Sequence, residues 1–368
     1  EYTLTGKLKR SSRPYFEGET VIWNTLEYDA LDRVTRSIDA DNAVLETSRD
    51  ALTITLTDPR KHTTVKRADA LGNVVQIVNE KGETLDFDFD AAGRLHAVTD
   101  SKGNVTQQEF DILDRRISLK DPNTGLNKTF YNGLNLPYRI EDAMGNVTLF
   151  FYDILGRKIR QEINANGESV VDKWHYDRDS KTLGILYSIE GSGFKEIYSF
   201  DKFNRRSLTE TTIDGRTFVE GQTYDSRGRL KASLFASGLS IDNVYDEFTS
   251  TLISVKRTGK DKVYWNLVDA FADGQTKETT LGNGVNNRTV VNPKNGSIEN
   301  SVTTDARGEI LESRAYTYDL KGNVTSREDR LRNRSEIVTY DVLDRIETIT
   351  DEKGKAVRVA YDELGNIR

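Results

Sequence analysis

A phrase that returns at a fixed step constrains this chain more than any other feature. A repeat array builds its stability between neighbouring units and has no single central core. The phrase is aromatic, Asp, any residue, Leu, Gly, Arg. It reads Tyr28-Asp29-Ala30-Leu31-Asp32-Arg33, Phe89-Asp90-Ala91-Ala92-Gly93-Arg94, Phe110-Asp111-Ile112-Leu113-Asp114-Arg115 and Tyr152-Asp153-Ile154-Leu155-Gly156-Arg157. Later copies open with Phe200-Asp201, Tyr224-Asp225, Tyr318-Asp319, Tyr340-Asp341 and Tyr361-Asp362. Degenerate copies, including those opening at Arg49, Ala68, Val268 and Val291, fill the gaps. The first positions then run 28, 49, 68, 89, 110, 131, 152, 176, 200, 224, 245, 268, 291, 318, 340, 361. The commonest step is 21 residues, and the three between Tyr152 and Tyr224 are 24, read as extra loop residues. The organisation expected is a lead-in over residues 1–27 that continues the sheet, then about sixteen units over 28–368.

The fifth position of the unit is Gly at Gly72, Gly93, Gly156, Gly228, Gly322 and Gly365, and Asp or Asn at Asp32, Asp114, Asn135, Asn204, Asn295 and Asp344. These residue types share a tolerance of positive φ, so the slot is a left-handed turn position. The second position is Asp or Asn in all sixteen units. Such a side chain accepts hydrogen bonds from backbone N–H groups just ahead and opens a turn. The phrase therefore predicts a hairpin corner: an aromatic ends a strand, Asp opens the turn, Leu tucks under it, and the left-handed residue exits. A second turn lies about ten residues on, as in Asp100-Ser-Lys-Gly103-Asn104 and Asp142-Ala-Met-Gly145-Asn146. Between turns the runs alternate with period two, as in Leu85, Phe87, Phe89 against Thr84, Asp86, Asp88, which indicates half-buried strands. The fold class expected is all-β, tandem hairpins in one continuous antiparallel sheet. The aromatics should form a column of stacked or edge-to-face pairs, each contributing ~0.5–1.5 kcal/mol beyond area burial.

Composition removes several alternatives. The chain has no Cys, so it has no disulfide framework, thiolate nucleophile or Cys-based metal site. With 52 Lys+Arg against 59 Asp+Glu its net charge is −7, which argues against a nucleic-acid partner. The longest apolar runs, such as Thr148 to Tyr152, fall far short of the ~18 residues a membrane helix needs. The opening Glu1 to Arg10 is polar and reads as no signal peptide.

The Tyr-Asp-x-Leu-Gly-Arg phrase, the 21-residue step and the Asp-x-x-Gly-Asn-Val-Thr linker resemble YD repeats of the Rhs, Tc-toxin and teneurin group. Tyr152 to Arg157, Tyr224 to Leu230 and Gly322 to Thr325 carry the resemblance most clearly, and it covers about nine tenths of the chain. Ser12-Arg13-Pro14-Tyr15-Phe16-Glu17-Gly18-Glu19 is similar to what precedes the first repeats in Tc-toxin B components. The resemblance implies a sheet that spirals into a hollow shell around a toxic C-terminal payload, in a secreted or surface-exposed bacterial protein. Its implied partners are further repeats, a core domain and the payload of the same polypeptide, or a partner toxin subunit. Family members also carry a core domain with an aspartyl self-cleavage site, and no segment here resembles it. The expectation is a piece of a longer polypeptide, since Tyr361 to Arg368 stops in mid-unit.

No constellation of catalytic residues rises above the repeat background. His62, His96 and His175 sit in different units without paired spacing and read as strand residues. Asp86, Asp88 and Asp90 imitate the start of a calcium loop, but Ala91 and Ala97 stand where Gly and Glu are needed. The Asp177/Asp179 pair coincides with a repeat corner. No cofactor, metal or enzymatic activity is expected, and the repeat residues themselves are the structural sites. Trp23, Trp174 and Trp265 are read as filling the sheet face, and a glycan- or protein-binding adhesion module is the alternative function.

Overall fold

The structure, a computed structural model, describes residues 1–180, 182–362 and 365–368; Lys181, Glu363 and Leu364, the last two inside the final unit, lie outside the described residues. Among the described residues there are 32 strands and no helix, all in one sheet. Each strand pairs antiparallel with the one before and the one after it in sequence, and strands touch only such neighbours. The ribbon is therefore one layer thick.

A local rule generates this topology. At Asp153 the backbone N–H bonds the Arg157 carbonyl at 3.0 Å, and the Gly156 N–H returns to the Asp153 carbonyl at 3.0 Å. Gly156 has φ +78°, so the corner is a type I turn closed by a left-handed bulge residue. The register shifts between Phe151 and Tyr152 as a bulge requires. The second turn of the unit is built alike: at Asp100, Gly103 returns to the Asp100 carbonyl and has φ +81°. The ribbon thus has a near rim of aromatic-Asp corners and a far rim of Asp-x-x-Gly turns.

Several expectations are corrected. The unit opening at Tyr176 carries its extra residues in the corner, where the Asp177 N–H bonds the Ile185 carbonyl, but in the other two units between Tyr152 and Tyr224 they lengthen strands: Glu168–Tyr176 and Arg216–Tyr224 have nine residues each. There the far-rim turn shrinks to Asn166-Gly167 and Asp214-Gly215, both residues of each pair at positive φ, the tightest hairpin connection. In the unit at Val291 the left-handed residue is Gly296, φ +79°, and not Asn295, because that corner is one residue longer and Gly296 bonds back to Asn292. In the unit assigned to Val268 the turn opens at Phe271, whose carbonyl accepts from Gly274. The unit assigned to Arg49 is a two-residue turn between Asp50 and Thr53. The corner leucines do not tuck under the turn. Leu31 and Leu155 are each 71% exposed, because the third and fourth positions form the tip that projects beyond the sheet. Within residues 1–27, Tyr2 to Leu8 makes a corner of the same kind, with Thr3 in the Asp slot and Gly6 at φ +79°.

The ribbon closes on itself. Arg13 reaches Asp273 at 3.0 Å, Asn295 reaches Asp41 at 2.9 Å, and Lys321 reaches Asp58 at 2.8 Å. Arg60 lies 3.0 Å from Asp344 and 3.6 Å from Asp319, and Lys81 lies 2.9 Å from Asp341. Every contact joins a far-rim turn of the first coil to a near-rim corner 254 to 284 residues later. The turn after the first strand (Arg10–Ser12) meets the corner after the twenty-fourth (Val263–Ala270). The turn after the fifth (Thr53–Thr57) meets the corner after the twenty-eighth (Ile310–Tyr318). Both pairings span 23 strands, 24 − 1 and 28 − 5. At ~4.8 Å between strands, 23 strands give a circumference of ~110 Å and a mean diameter of ~35 Å. Removing half a ~10 Å layer on each side leaves a lumen of ~25 Å.

The accessible surface agrees with a thin wall. It is 23573 Å², against roughly 14,800 Å² for a compact monomer of this mass. Only Ala43, Tyr198, Ala315 and Val338 are buried apolar residues among those described.

The seam depends on opposite charges, so reversing one should loosen it without unfolding the ribbon. Arg60→Glu, which would face Asp319 and Asp344, is expected to speed hydrogen exchange about tenfold in turns 58–62 and 341–345, with the far-ultraviolet circular dichroism unchanged. Unaltered exchange in both turns would show that the seam is held by something else.

Candidate functional site

The expected repeat residues come together as a ladder along the near rim. At seven corners the Asp carboxylate does two jobs. One oxygen accepts the backbone N–H groups of the fourth and sixth positions, as Asp90 does from Ala92 and Arg94, both at 2.9 Å. The other holds the Arg side chain of its own corner: Arg94 to Asp90 at 2.7 Å, Arg157 to Asp153 at 2.6 Å, Arg229 to Asp225 at 2.7 Å. Asp29, Asp111, Asp201 and Asp341 hold Arg33, Arg115, Arg205 and Arg345 in the same way. In the corners of Tyr318 and Tyr361 an Asn takes the Arg place, Asn323 on Asp319 and Asn366 on Asp362. Gly93, Gly156, Gly228, Gly322 and Gly365 all have positive φ.

The Arg then reaches the next unit. The guanidinium of Arg94 lies over the Phe110 ring at 5.0 Å, Arg115 over Tyr131 at 4.8 Å and Arg157 over Tyr176 at 4.6 Å. Arg205 covers Tyr224 at 4.0 Å, Arg229 covers Tyr245 at 4.4 Å and Arg345 covers Tyr361 at 4.5 Å. Several also bond the next corner: Arg94 to Asp114 at 2.6 Å, Arg115 to Asn135 at 2.9 Å, Arg157 to both oxygens of Asp177. Rings whose preceding corner has another residue in the Arg place are anchored by their hydroxyl, as are the covered Tyr131, Tyr176, Tyr245 and Tyr361. Tyr152 donates to the Pro137 carbonyl at 2.6 Å, Tyr28 to Leu8 at 2.7 Å, Tyr340 to Val324 at 2.9 Å and Tyr318 to Ile298 at 2.9 Å.

This corrects the expected aromatic column. The ring contacts among the described residues are Phe130 with Tyr138 and His175 with Tyr187, neither between successive first positions. The reason is spacing. First positions are two strands apart, ~9.6 Å, whereas paired rings need centroids 4.5–7 Å apart. The flat Arg side chain on the intervening corner fills the gap and gains cation–π attraction on the ring it covers.

The charged groups are tuned by the same geometry. The N–H of Arg94, aided by its guanidinium, lowers the pKa of Asp90 below the usual carboxylate value, and Arg33 does the same for Asp29. The Arg115 guanidinium lowers Asp111, and that of Arg205 lowers Asp201. At the seam burial pushes Asp341 up, but Arg345 and Lys81 more than reverse it. Burial and the neighbouring Glu196 push Tyr198 up to about 12.

The other sequence candidates are scattered. His62 lies 3.6 Å from Asp58, His96 bonds the Gln108 carbonyl and Gln107, and His175 lies 3.4 Å from Glu190. Asp86 accepts from Gln76 and Thr84, while Asp177 takes Arg157 and the Gly184 N–H. Among the described residues no three metal-binding side chains converge. Trp23 lies under Arg10 at 4.2 Å and Trp174 under Lys158 at 3.7 Å, so both rings have a cation on one face. Sequence reasoning missed the seam residues Arg13, Arg60, Lys81 and Lys321, which carry no local signature.

A β-branched residue at Gly156 would meet both left-handed strain and Leu136, whose Cδ1 lies 3.3 Å from the added Cβ. Gly156→Val should cost ~1–3 kcal/mol, seen as faster local hydrogen exchange around residues 150–160. Unchanged exchange would disprove the turn assignment. The carboxylates set a pH dependence. Their folded pKa values lie below the unfolded value of ~3.9, so their contribution is complete above it and declines as pH falls below it. Thermal stability should hold from pH 7 to about 5 and drop below about 4. Stability that persists to pH 2 would contradict the Asp–Arg ladder.

Residues 89–126 match the RHS Repeat family. No curated protein matches the chain by sequence. Solved structures do match by fold. A crystal structure titled TcdB2-TccC3-Cdc42 aligns with TM-score 0.88 at 16% identity, over 100% of this chain and 23% of the other. A Photorhabdus luminescens Tc holotoxin pore, carrying a TccC3 mutation, aligns with TM-score 0.82 at 16% identity, over 94% of this chain and 21% of the other. The crystal structure of TcdB2-TccC3 without its hypervariable C-terminal region gives TM-score 0.88 at 16% identity, over 100% and 23%. The chain spans a little under a quarter of the length of these structures. Its RHS Repeat match lies at residues 89–126, and it shares the β-sheet fold of these solved structures.

Proposed function

We infer, for a chain that carries RHS/YD repeats in the fold seen in Tc toxins, that it is a wall segment of a secreted bacterial toxin assembly. Its work is steric. The wall encloses a payload segment and keeps it from proteases and from the surrounding solution. The observation that carries this reading is closure: a one-layer ribbon meets its own rim after 23 strands, around a lumen of ~25 Å. A folded domain of 100 residues, with a radius of gyration of ~13 Å and hence ~34 Å across, exceeds that width, whereas an unfolded chain fits. The net charge of −7 favours a wall that does not bind an acidic or neutral chain tightly. The partners are further repeats, a core and a payload in the same polypeptide, or a partner subunit of the toxin. The function needs no reacting group, cofactor or metal. Glycan adhesion has less support, because Trp23 and Trp174 are each stacked against a cation.

The test is an electron-microscopy envelope of the assembly that contains the chain, combined with limited proteolysis. A ring or shell with an empty or weakly filled centre is expected, and the enclosed segment should resist protease until the wall is opened. A solid particle, or a payload cut as fast as free peptide, would overturn the reading.

A further inference from the structure

Among the described residues no backbone–backbone hydrogen bond crosses the seam, whereas a ladder of them joins every strand to the next. Side chains hold the seam, so a change of charge on one of them can move it. Between about pH 7.5 and about pH 5.5 ordinary carboxylates, lysines and arginines keep their charge, and histidine is the residue that does not. His96 and His175 lie within strands. His62 ends the far-rim turn that carries Asp58 and Arg60 into the seam.

His62 stands where other far-rim turns place an asparagine. Asn104 and Asn146, at the same place in their turns, donate Nδ2 to the second carboxylate oxygen of Asp100 and Asp142, at 2.9 and 2.7 Å. His62 leaves that bond unmade. Its Nδ1 is buried without a hydrogen-bond partner, 3.6 Å from Asp58 Oδ2. The same oxygen takes Lys321 across the seam at 2.8 Å. The other oxygen of Asp58 is occupied by the N–H groups of Arg60 and His62. Burial pushes the Asp58 carboxyl up, but Lys321 and the turn N–H groups more than reverse it.

A proton on His62 makes Nδ1 a donor aimed at the oxygen that holds Lys321. The charges around the ring decide which way the seam then moves. Asp58, Arg60 and Lys61 share its turn, Glu80 and Lys81 stand on the next far-rim turn, and Glu46 meets Lys61. All of these belong to the first coil and stay beside His62 whether the seam is open or closed. Closing the seam brings in Asp319, Lys321, Asp341, Asp344 and Arg345 from the second coil. Asp319 and Asp344 face Arg60, and Asp341 faces Lys81 and Arg345. Lys321 bridges Asp344 to Asp58, so it is the charge brought to the oxygen that His62 faces. The closed seam therefore sets a charged imidazole against an ammonium, beside a carboxylate already neutralised and with Nδ1 away from water. An open seam removes the ammonium and admits water, so the proton binds the open form better and shifts the balance toward it.

We propose that His62 is an acid-responsive latch: its neutral ring permits the Lys321–Asp58 bridge, and its charged ring parts the seam at turn 58–62 without unfolding the ribbon. The use of that parting as a lateral opening in the wall rests on the wall reading; the response of the seam itself does not.

Hydrogen exchange on the full chain, corrected for the intrinsic pH dependence of amide exchange, tests the latch. From about pH 7.5 to about pH 5.5, protection in turns 58–62 and 319–323 should fall about tenfold. Strands Val147–Tyr152 and Glu168–Tyr176 should keep their protection, and the circular dichroism should not change. His62→Asn supplies the uncharged donor of the other far-rim turns and should abolish the response. His62→Lys carries the charge permanently and should show the loosened seam already at the higher pH. Wild-type protection that ignores pH over this range, or an equal fall in His62→Asn, overturns the latch. A hollow envelope with pH-independent exchange removes the latch alone, whereas a solid particle with pH-dependent exchange removes the wall reading and leaves the latch standing.

Discussion

The guanidinium that lies between successive units is the contact on which this architecture depends. A unit of two strands separates its corner aromatics by ~9.6 Å, too far for ring to meet ring. In six pairs of units the Arg at the sixth position bridges that distance. It is held by the Asp of its own corner, lies flat on the ring of the next unit and often bonds the next corner as well. The Asp therefore serves the turn and the stack at once: one oxygen caps the turn N–H groups while the other fixes the Arg. The turn chemistry of one hairpin is thereby linked to the position of its neighbour.

A ribbon of this kind has no second layer to pack against. Its surface is about 1.6 times that of a compact protein of equal mass (23573 Å² over roughly 14,800 Å²). Strand hydrogen bonds and neighbour contacts must therefore supply what a core supplies elsewhere, as in other linear repeat arrays. The curvature that brings the far rim back to the near rim is then secured by charges. Arg60, Lys81 and Lys321 meet Asp58, Asp319, Asp341 and Asp344 in one partly buried group. Ion pairs suit this place, because a rim of turn tips has little apolar area to bury and many carboxylates already ordered by their turns.

Much of the fold was legible in the sequence because its rules are local. The Asx position, the left-handed fifth residue and the two-residue alternation each act within five residues, and they predict corners and strands directly. What failed, failed for physical reasons. Counting from Val291 puts Asn295 in the left-handed slot, but an extra residue lengthens that turn and Gly296 takes the position. The Asn166-Gly167 and Asp214-Gly215 pairs are two-residue hairpin signals, which the 24-residue step alone does not distinguish from a longer loop. The recurrence of Tyr and Phe suggests an aromatic column, but two strands hold successive rings too far apart to touch. The seam could not be read at all. Its contacts span 254 to 284 residues, and Arg60 or Lys81 looks like any other exposed cation in its own turn.

A double-mutant cycle between Arg115 and Tyr131, whose guanidinium lies 4.8 Å from the ring, tests the interleaved stack most directly. Arg115→Gln and Tyr131→Leu would be made singly and together, with local stability read from hydrogen exchange across residues 105–141. Each single change should destabilise both units, and the double change should cost clearly less than the sum, beyond the ~0.3–0.5 kcal/mol within which independent sites add. Strict additivity would contradict the account, since it would mean that the Arg and the ring stabilise their units separately.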